Sequence, residues 1–223
     1  MGTEVITGEL PQASPAGVVI PPGTLPPLEN GDRLTRSDFE QRYEAMPHVK
    51  KAELIEGIVY MPSPVRVRSH GRPHGQIMGW ISIYGAATPG VDCADNTTLR
   101  LDLDNEPQPD AMLWIDAAAG GHARVSDDDY LEGSPELIVE VAASSASYDL
   151  HVKREVYRRN GVQEYVVWRV YDRQVDWFRL ENGQYVTVPA DTESMIHSRA
   201  FPGLCLAVPA LLSGDLAHVL AEL

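Results

Sequence analysis

The chain predicts a mixed α/β fold: an α+β mixed sheet flanked by helices. Three observations point to it. Candidate elements run helix, strand, helix, strands, helix, strands, an alternation that packs helices on a sheet. Leu137-Ile-Val-Glu-Val141 is a nearly continuous apolar run, as expected of a strand buried on both faces. Ile77, Trp80, Ile81 and Tyr84 recur at i, i+3, i+4, i+7, the apolar stripe of a helix. The chain has 223 residues, 43% hydrophobic and 22% charged, an ordinary soluble composition. Residues 1–32 form a flexible Pro-rich N-terminal arm, with six prolines and no Lys or Arg in the first thirty. Residues 33–223 form one domain, large enough to hold a core.

The elements follow in order. Thr35-x-x-Asp38 is a capping box with Asp in the Glu/Gln place, flanked by Leu34 and Phe39 as a staple. A short helix runs from there to about Met46, stopped before Pro47. Lys51 to Tyr60 reads as a strand ended by Pro62 and Pro64. Pro73 suits the first turn of the next helix. Thr98 to Leu103 alternates as a strand with Leu99, Leu101 and Leu103 on one side, residues 104–107 turn, and Asp110 to Ile115 is a further strand. After Leu137–Val141, a helix over Asp149–Arg159 stops at Asn160-Gly161. Strands then recur at Glu164–Val170, Val175–Leu180 and Tyr185–Val188, with Asn182-Gly183 as a hairpin turn. The later strands offer an edge for a homodimer.

Charge and cysteine content bound the function. The net charge is −14 and the pI near 4.8, which argues against bulk electrostatic attachment to nucleic acid. A local basic groove stays open. Arg66–Arg72 holds three arginines and no acid, and Asp149–Asn160 holds four basic residues against two acids. If DNA binds, these two segments line the groove, and the acidic stretch from Arg100 to Glu136 faces elsewhere or rings a metal. Cys93 and Cys205 form no CxxC, the apolar stretch Leu204–Leu212 is too short to span a bilayer, and no basic residue precedes Arg33. The expectation is a cytoplasmic protein without a membrane partner.

Three groups of residues can carry chemistry. Glu140 lies inside the most apolar strand and shares a face with Ile138 and Ala142. A carboxylate buried there needs a charged partner or a metal, unless it sits at an exposed strand end. Asp110 opens its strand after Pro109, at a strand end where ligands collect in α/β sheets; on its own it also fits an ordinary turn. Asp149, Lys153 and Tyr157 line one helix face at i, i+4, i+8, which on its own also describes a surface ion pair. Together, two carboxylates on adjacent strand ends suit Mg²⁺, with Mn²⁺ able to substitute, and a neighbouring lysine can orient water or offset phosphate charge. The pair His70-x-x-x-His74 has helical metal spacing, but Pro73 sets the helix start between them, which argues against a zinc pair.

The segments AELIEGIVYMPSP, RPHGQIMGWI, PQPDAMLWI, PELIVEVAASSASYDLHVKREVYRRNGVQEYVV and SRAFPGLCLAV, in this order, resemble the Uma2 family of restriction-endonuclease-like proteins. The resemblance runs from about Thr35 to Leu212 and extends to the PD-(D/E)xK nuclease superfamily. It implies a restriction-endonuclease-like core and an endonuclease acting on DNA with Mg²⁺. By resemblance Asp110 is the motif aspartate and Glu140 the motif acid, both metal ligands, with the Val141 carbonyl as a further ligand. The position two residues after the Glu holds Ala142 in place of lysine, and Lys153 matches the migrated lysine on the following helix. Glu53 matches an additional acidic residue, with Glu56 the competing choice. His74 matches a family histidine and, with Asp149 and Tyr157, is a possible accessory residue. EYV stands where the family pattern is often EYW. Two other readings remain beside the nuclease: a non-catalytic binding or regulatory protein on the same fold, and a metal hydrolase acting on a small phosphodiester.

Overall fold

The computed structural model describes residues 25–62 and 64–223. Most of the Pro-rich arm lies outside them. Within its last residues Leu28 is buried, and Gly31 N–H donates to Val59 O at 2.8 Å.

Helix α1 (Arg36–Glu44) begins at Thr35, whose hydroxyl oxygen accepts from Asp38 N–H. The Thr35 hydroxyl in turn donates to the Asp38 carboxylate at 2.8 Å. The expected strand over 51–60 is instead a hairpin, β1 (Glu53–Ile55) and β2 (Ile58–Tyr60). Its two-residue turn has Glu56 at φ 55° and Gly57 at φ 70°. Positive φ at both positions matches the twist of the paired strands, so the chain reverses where simple alternation would run on.

A π turn over Val67–Gly71, in which Gly71 N–H reaches Arg66 O, leads into helix α2 (Arg72–Ala87). Then come β3 (Val91–Ala94), β4 (Leu99–Arg100), β5 (Ala111–Ile115), β6 (Ala123–Val125), β7 (Leu131–Gly133) and β8 (Leu137–Ala142). The alternating strand expected at Thr98–Leu103 shrinks to β4. Leu101 N–H turns back to Asn105 O, leaving Leu99 buried and Leu103 73% exposed. Helix α3 (Ala146–Tyr148), a π turn over Asp149–Lys153 and α4 (Arg154–Arg159) form one continuous helical stretch. After Gly161 at φ 83° come β9 (Glu164–Arg169), β10 (Gln174–Glu181), β11 (Gln184–Thr187), β12 (Met195–His197), β13 (Cys205–Ala207), α5 (Val208–Ser213) and α6 (Leu216–Ala221).

The main sheet has the order β11-β10-β9-β8-β5-β3. Only β8 and β9 run parallel; the other neighbours are antiparallel. This is the mixed sheet flanked by helices that the element order predicts. Ile77, Trp80 and Ile81 of α2 are fully buried on one face against Leu113, Val139 and Val166, each contributing roughly 1.5–3 kcal/mol by removal from water. On the other face Tyr157 and Val162 pack on Met112, Ile138, Tyr165 and Val167. A third, smaller cluster joins Leu28, Phe39, Leu54 and Val59 under α1. Among the described residues no helix is long and apolar enough to cross a membrane.

Candidate active site

Topology brings the motif residues together. Strand β8 is buried along all six residues, because β5 and β9 flank it and helices cover both faces. Its antiparallel register with β5 pairs Ala111 with Val139. Asp110, one residue before β5, therefore meets the level of Glu140. Its N–H lies 3.4 Å from Glu140 Oε2. Past Ala111 the edge of β8 is open, and Val141 N–H donates into that gap, to Asp110 Oδ2 at 2.8 Å. In a strand the N–H and C=O of one residue share an edge, so the Val141 carbonyl opens on the same side.

Glu140 points to the face covered by α4, where Tyr157 O–H donates to its Oε1 at 2.9 Å. Lys153 Nζ donates to the same Oε1 at 2.9 Å and to Glu53 Oε1 at 2.8 Å. Glu53 also accepts from Gln108 N–H at 2.8 Å. Thus β1, the β5 entrance, β8 and the helical stretch after it all meet at Lys153. Glu56 is not part of this group. It sits exposed in the hairpin turn, paired with Arg159. Asp149 is buried in the π turn, four residues before Lys153.

Two further residues reach Asp110: His70, weighed in the sequence only as half of a metal pair, and Lys51, which the sequence does not single out. His70 Nε2–H donates to Asp110 Oδ2 at 3.2 Å, and Lys51 Nζ lies 3.5 Å from Asp110 Oδ1. His74 takes a different part of the same residue: its Nε2–H donates to the Asp110 carbonyl at 2.8 Å. The His70 and His74 rings stack 5.8 Å apart with both Nε2 atoms turned toward Asp110. The His70 signal in the chain was its placement one turn before His74. Lys51 carried no signal beyond adjacency to the AELIEG segment.

The electrostatics are lopsided. Burial would raise the Asp110 carboxyl, but His70, Lys51 and the Val141 N–H outweigh it and hold Asp110 well below the usual carboxylate range. Glu140 goes the other way. Burial, with Asp110, Asp149 and Glu53 nearby, pushes its carboxyl up to about 8 despite Lys153. Burial also raises Asp149, against the pull of Lys153. Burial disfavours charge on Lys153, yet Glu140, Glu53 and Asp149 hold it protonated. Burial and the Glu140 charge raise the Tyr157 hydroxyl, which keeps it a neutral donor.

Three buried carboxylates, Glu53, Glu140 and Asp149, therefore surround one buried cation, Lys153, and a fourth, Asp110, lies beside Glu140. A further cation would relieve the imbalance. Among the described residues no three or more His, Cys, Asp or Glu side chains form a ready-made metal cage, because the Lys153 ammonium stands between Glu53 and Glu140. What remains is Asp110, Glu140 and the Val141 carbonyl, a hard oxygen set with few protein ligands. That set fits Mg²⁺, which binds through one or two carboxylates and keeps several waters.

Comparison with known proteins agrees with this architecture. The chain is similar in fold to a protein from Anabaena variabilis ATCC 29413, described as a putative nuclease belonging to DUF820 and solved as a crystal structure. The TM-score is 0.60 at 13% identity, covering 78% of this chain and 97% of that one. No curated protein matches. The family model of Uma2, described as "Putative restriction endonuclease", matches residues 37–209, well over half of the chain. The match spans the hairpin, Asp110, Glu140 and Lys153, and the chain belongs to the Uma2 family.

Proposed function

We propose that this chain is a Mg²⁺-dependent endonuclease, with Mn²⁺ able to substitute, that hydrolyses phosphodiester bonds of DNA with a site of the PD-(D/E)xK type. The observation that carries the reading is the excess of buried carboxylate at the shared end of β5 and β8 around a single buried lysine. Asp110, Glu140 and the Val141 carbonyl would hold the ion. When bound, it supplies a more acidic water at neutral pH and stabilises charge building on phosphate. Lys153 and Tyr157 fix Glu140 Oε1 from one side, so that Oε2 is the oxygen turned toward Asp110. Glu53 anchors Lys153 from the opposite side. His70 and Val141 N–H fix Asp110 Oδ2 and leave Oδ1 to Lys51 at a longer distance. Each acid thus keeps one less-engaged oxygen.

The test is nicking of supercoiled plasmid in Mg²⁺ or Mn²⁺ at low salt, since the acidic surface weakens binding as salt rises. Wild type nicks, EDTA stops it, and Glu140→Gln loses it by 10³-fold or more. One observation favours the small-phosphodiester reading. The basic residues of α4 are engaged within the protein: Arg154 stacks over Phe178, Arg158 holds Glu155 and the Gly183 carbonyl, and Arg159 holds Glu56. They contribute less to a DNA groove than their number suggests. Metal-dependent hydrolysis of bis(p-nitrophenyl) phosphate without plasmid, linear DNA or RNA cleavage would select that reading. Absence of both activities would select a non-catalytic binding protein.

A further inference from the structure

The proposed site holds two lysines in opposite settings. The Lys153 side chain is 4% exposed, and its ammonium is tied to Glu53 and Glu140 at 2.8 and 2.9 Å. It cannot turn to a substrate without leaving two buried carboxylates unpaired. The Lys51 side chain is 25% exposed. Its ammonium donates to the exposed Asn96 carbonyl oxygen at 2.9 Å and has only a 3.5 Å contact with Asp110 Oδ1. Both partners are easily exchanged. Lys51 stands just before β1, the strand that carries Glu53.

Resting on the nuclease reading, we propose that Lys51 is the residue that receives the scissile phosphodiester, through a non-bridging phosphate oxygen, while Lys153 remains an internal counterion. The physical need is clear. A phosphodiester anion approaching four buried carboxylates meets repulsion, and only cations at the mouth can offset it. Lysine is suited to this as a compact charge with rotatable donors. His70 and His74 also reach Asp110 but are committed to it by hydrogen bonds. Arg66 and Arg68, exposed in and just before the π turn that carries His70, have no acidic partner among the described residues and extend the cationic rim outward along the strand path of a polyanion.

The experiment measures binding without metal. Fluorescence anisotropy of the full chain on a labelled 20-bp duplex in EDTA, between 50 and 200 mM NaCl, gives affinity and its salt slope. Lys51→Met, which keeps the stem, lowers affinity about tenfold and reduces the slope of log K against log salt by about one, the loss of one phosphate contact. Lys51→Gln does the same, and Lys51→Arg restores both. Thermal melts of all three match wild type, since the side chain is partly solvated. With Mn²⁺, Lys51→Met raises KM for plasmid about tenfold, whereas Lys153→Met lowers kcat with little change in KM. Wild type that cleaves, with Lys51→Met unchanged in affinity, slope and KM, overturns the role of Lys51 and leaves the nuclease reading intact. Wild type that binds with a Lys51-dependent slope yet cleaves nothing overturns the nuclease reading and leaves the phosphate contact standing. A wild type that does not bind the duplex even at 50 mM salt overturns both.

Discussion

The two ends of the central strand pair β8 and β9 handle buried carboxylates differently. At their N-terminal end, Glu136 and Glu164 are each 1% exposed. Glu136 accepts from Ile115 N–H at 2.8 Å, His122 N–H at 3.2 Å and the His122 ring at 3.0 Å. Glu164 accepts from Arg179 at 3.1 Å, Arg199 N–H at 2.9 Å and the Ser198 hydroxyl. Every carboxylate oxygen there has at least one donor. At the C-terminal end of β8, Glu53 and Glu140 share the Lys153 ammonium, with buried Asp149 and Asp110 close by. Burial of an acid is thus no functional signal by itself, since both ends have it. What separates them is crowding: Glu53 and Glu140 share one ammonium with Asp149 and Asp110 beside them, whereas Glu136 and Glu164 each have donors of their own. The matched end stabilises the sheet. The unmatched end stores repulsion that a ligand cation can relieve, as expected of a site kept for function at some cost in stability.

Substitutions at the two ends sharpen the contrast, and the largest effect is expected at the unmatched end. Lys153→Met leaves Glu53 and Glu140 without their counterion in the interior. The expected loss is about 4 kcal/mol of stability at pH 9, where Glu140 is ionised, measured by urea unfolding, together with a fall in cleavage rate of roughly 10²-fold or more. The deficit shrinks toward pH 5, because a protonated Glu140 no longer needs the ammonium. A deficit independent of pH would show that Lys153 acts by packing alone.

Next in size, Arg179→Met removes one donor from Glu164 at the matched end. It costs about 3 kcal/mol by the same measurement, while metal affinity and cleavage by the remaining folded protein stay at wild-type values. Loss of metal affinity in this variant would mean that the two ends are coupled.

A smaller effect concerns pH. Burial, then contact with Glu40, raises Glu106 to about 8, and Glu140 sits at about 8 for the causes given above. Both acids hold more protons folded than unfolded, so their contribution is complete below pH 4.5 and is lost as pH rises toward 8. The metal-free protein therefore loses stability from about pH 5 to pH 8. Glu106→Gln and Glu140→Gln each flatten that slope when melts are followed in EDTA, and Mg²⁺ at pH 8 raises the melting temperature of the Glu106→Gln variant but not of the Glu140→Gln one. A stability that rises over this range would contradict the assignment of both acids.

The smallest expected effect is a gain. In EDTA at pH 9, where Glu140 is ionised, Glu140→Gln keeps the side-chain volume, removes one charge from the crowded pit and stabilises the protein by about 1 kcal/mol. Glu164→Gln, on the same sheet, destabilises it. The same sign at both ends would erase the distinction between them.

Much of this arrangement can be read in the chain itself. The uninterrupted run Leu137–Val141 marks β8 because both faces are covered, and Glu140 stands out as its one charged residue. Thr35 and Asn160-Gly161 bound their helices through local capping chemistry. The hairpin at Glu56-Gly57 was harder to see, since each strand has only three residues and Glu at positive φ has weak local preference. Thr98–Leu103 alternates without a long partner strand, and only its Leu99 and Arg100 pair, with β7. At the site, spacing along one helix relates Asp149, Lys153 and Tyr157. The partners of Asp110 come from 40 and 59 residues away, so nothing local ties His70 or Lys51 to it. The family pattern supplied what spacing could not, the choice of Glu53 as a candidate. Its contact with Lys153 spans 100 residues and closes only when the hairpin docks.

The central claim is that the unmatched carboxylates form a divalent-cation site. Titration calorimetry with Mn²⁺ and Mg²⁺ at pH 7.5, on wild type and Glu140→Gln, tests it most directly. The account predicts saturable binding to wild type that Glu140→Gln abolishes while its fold and melting transition persist. Equal affinity in the two proteins, or no binding to wild type, would contradict it.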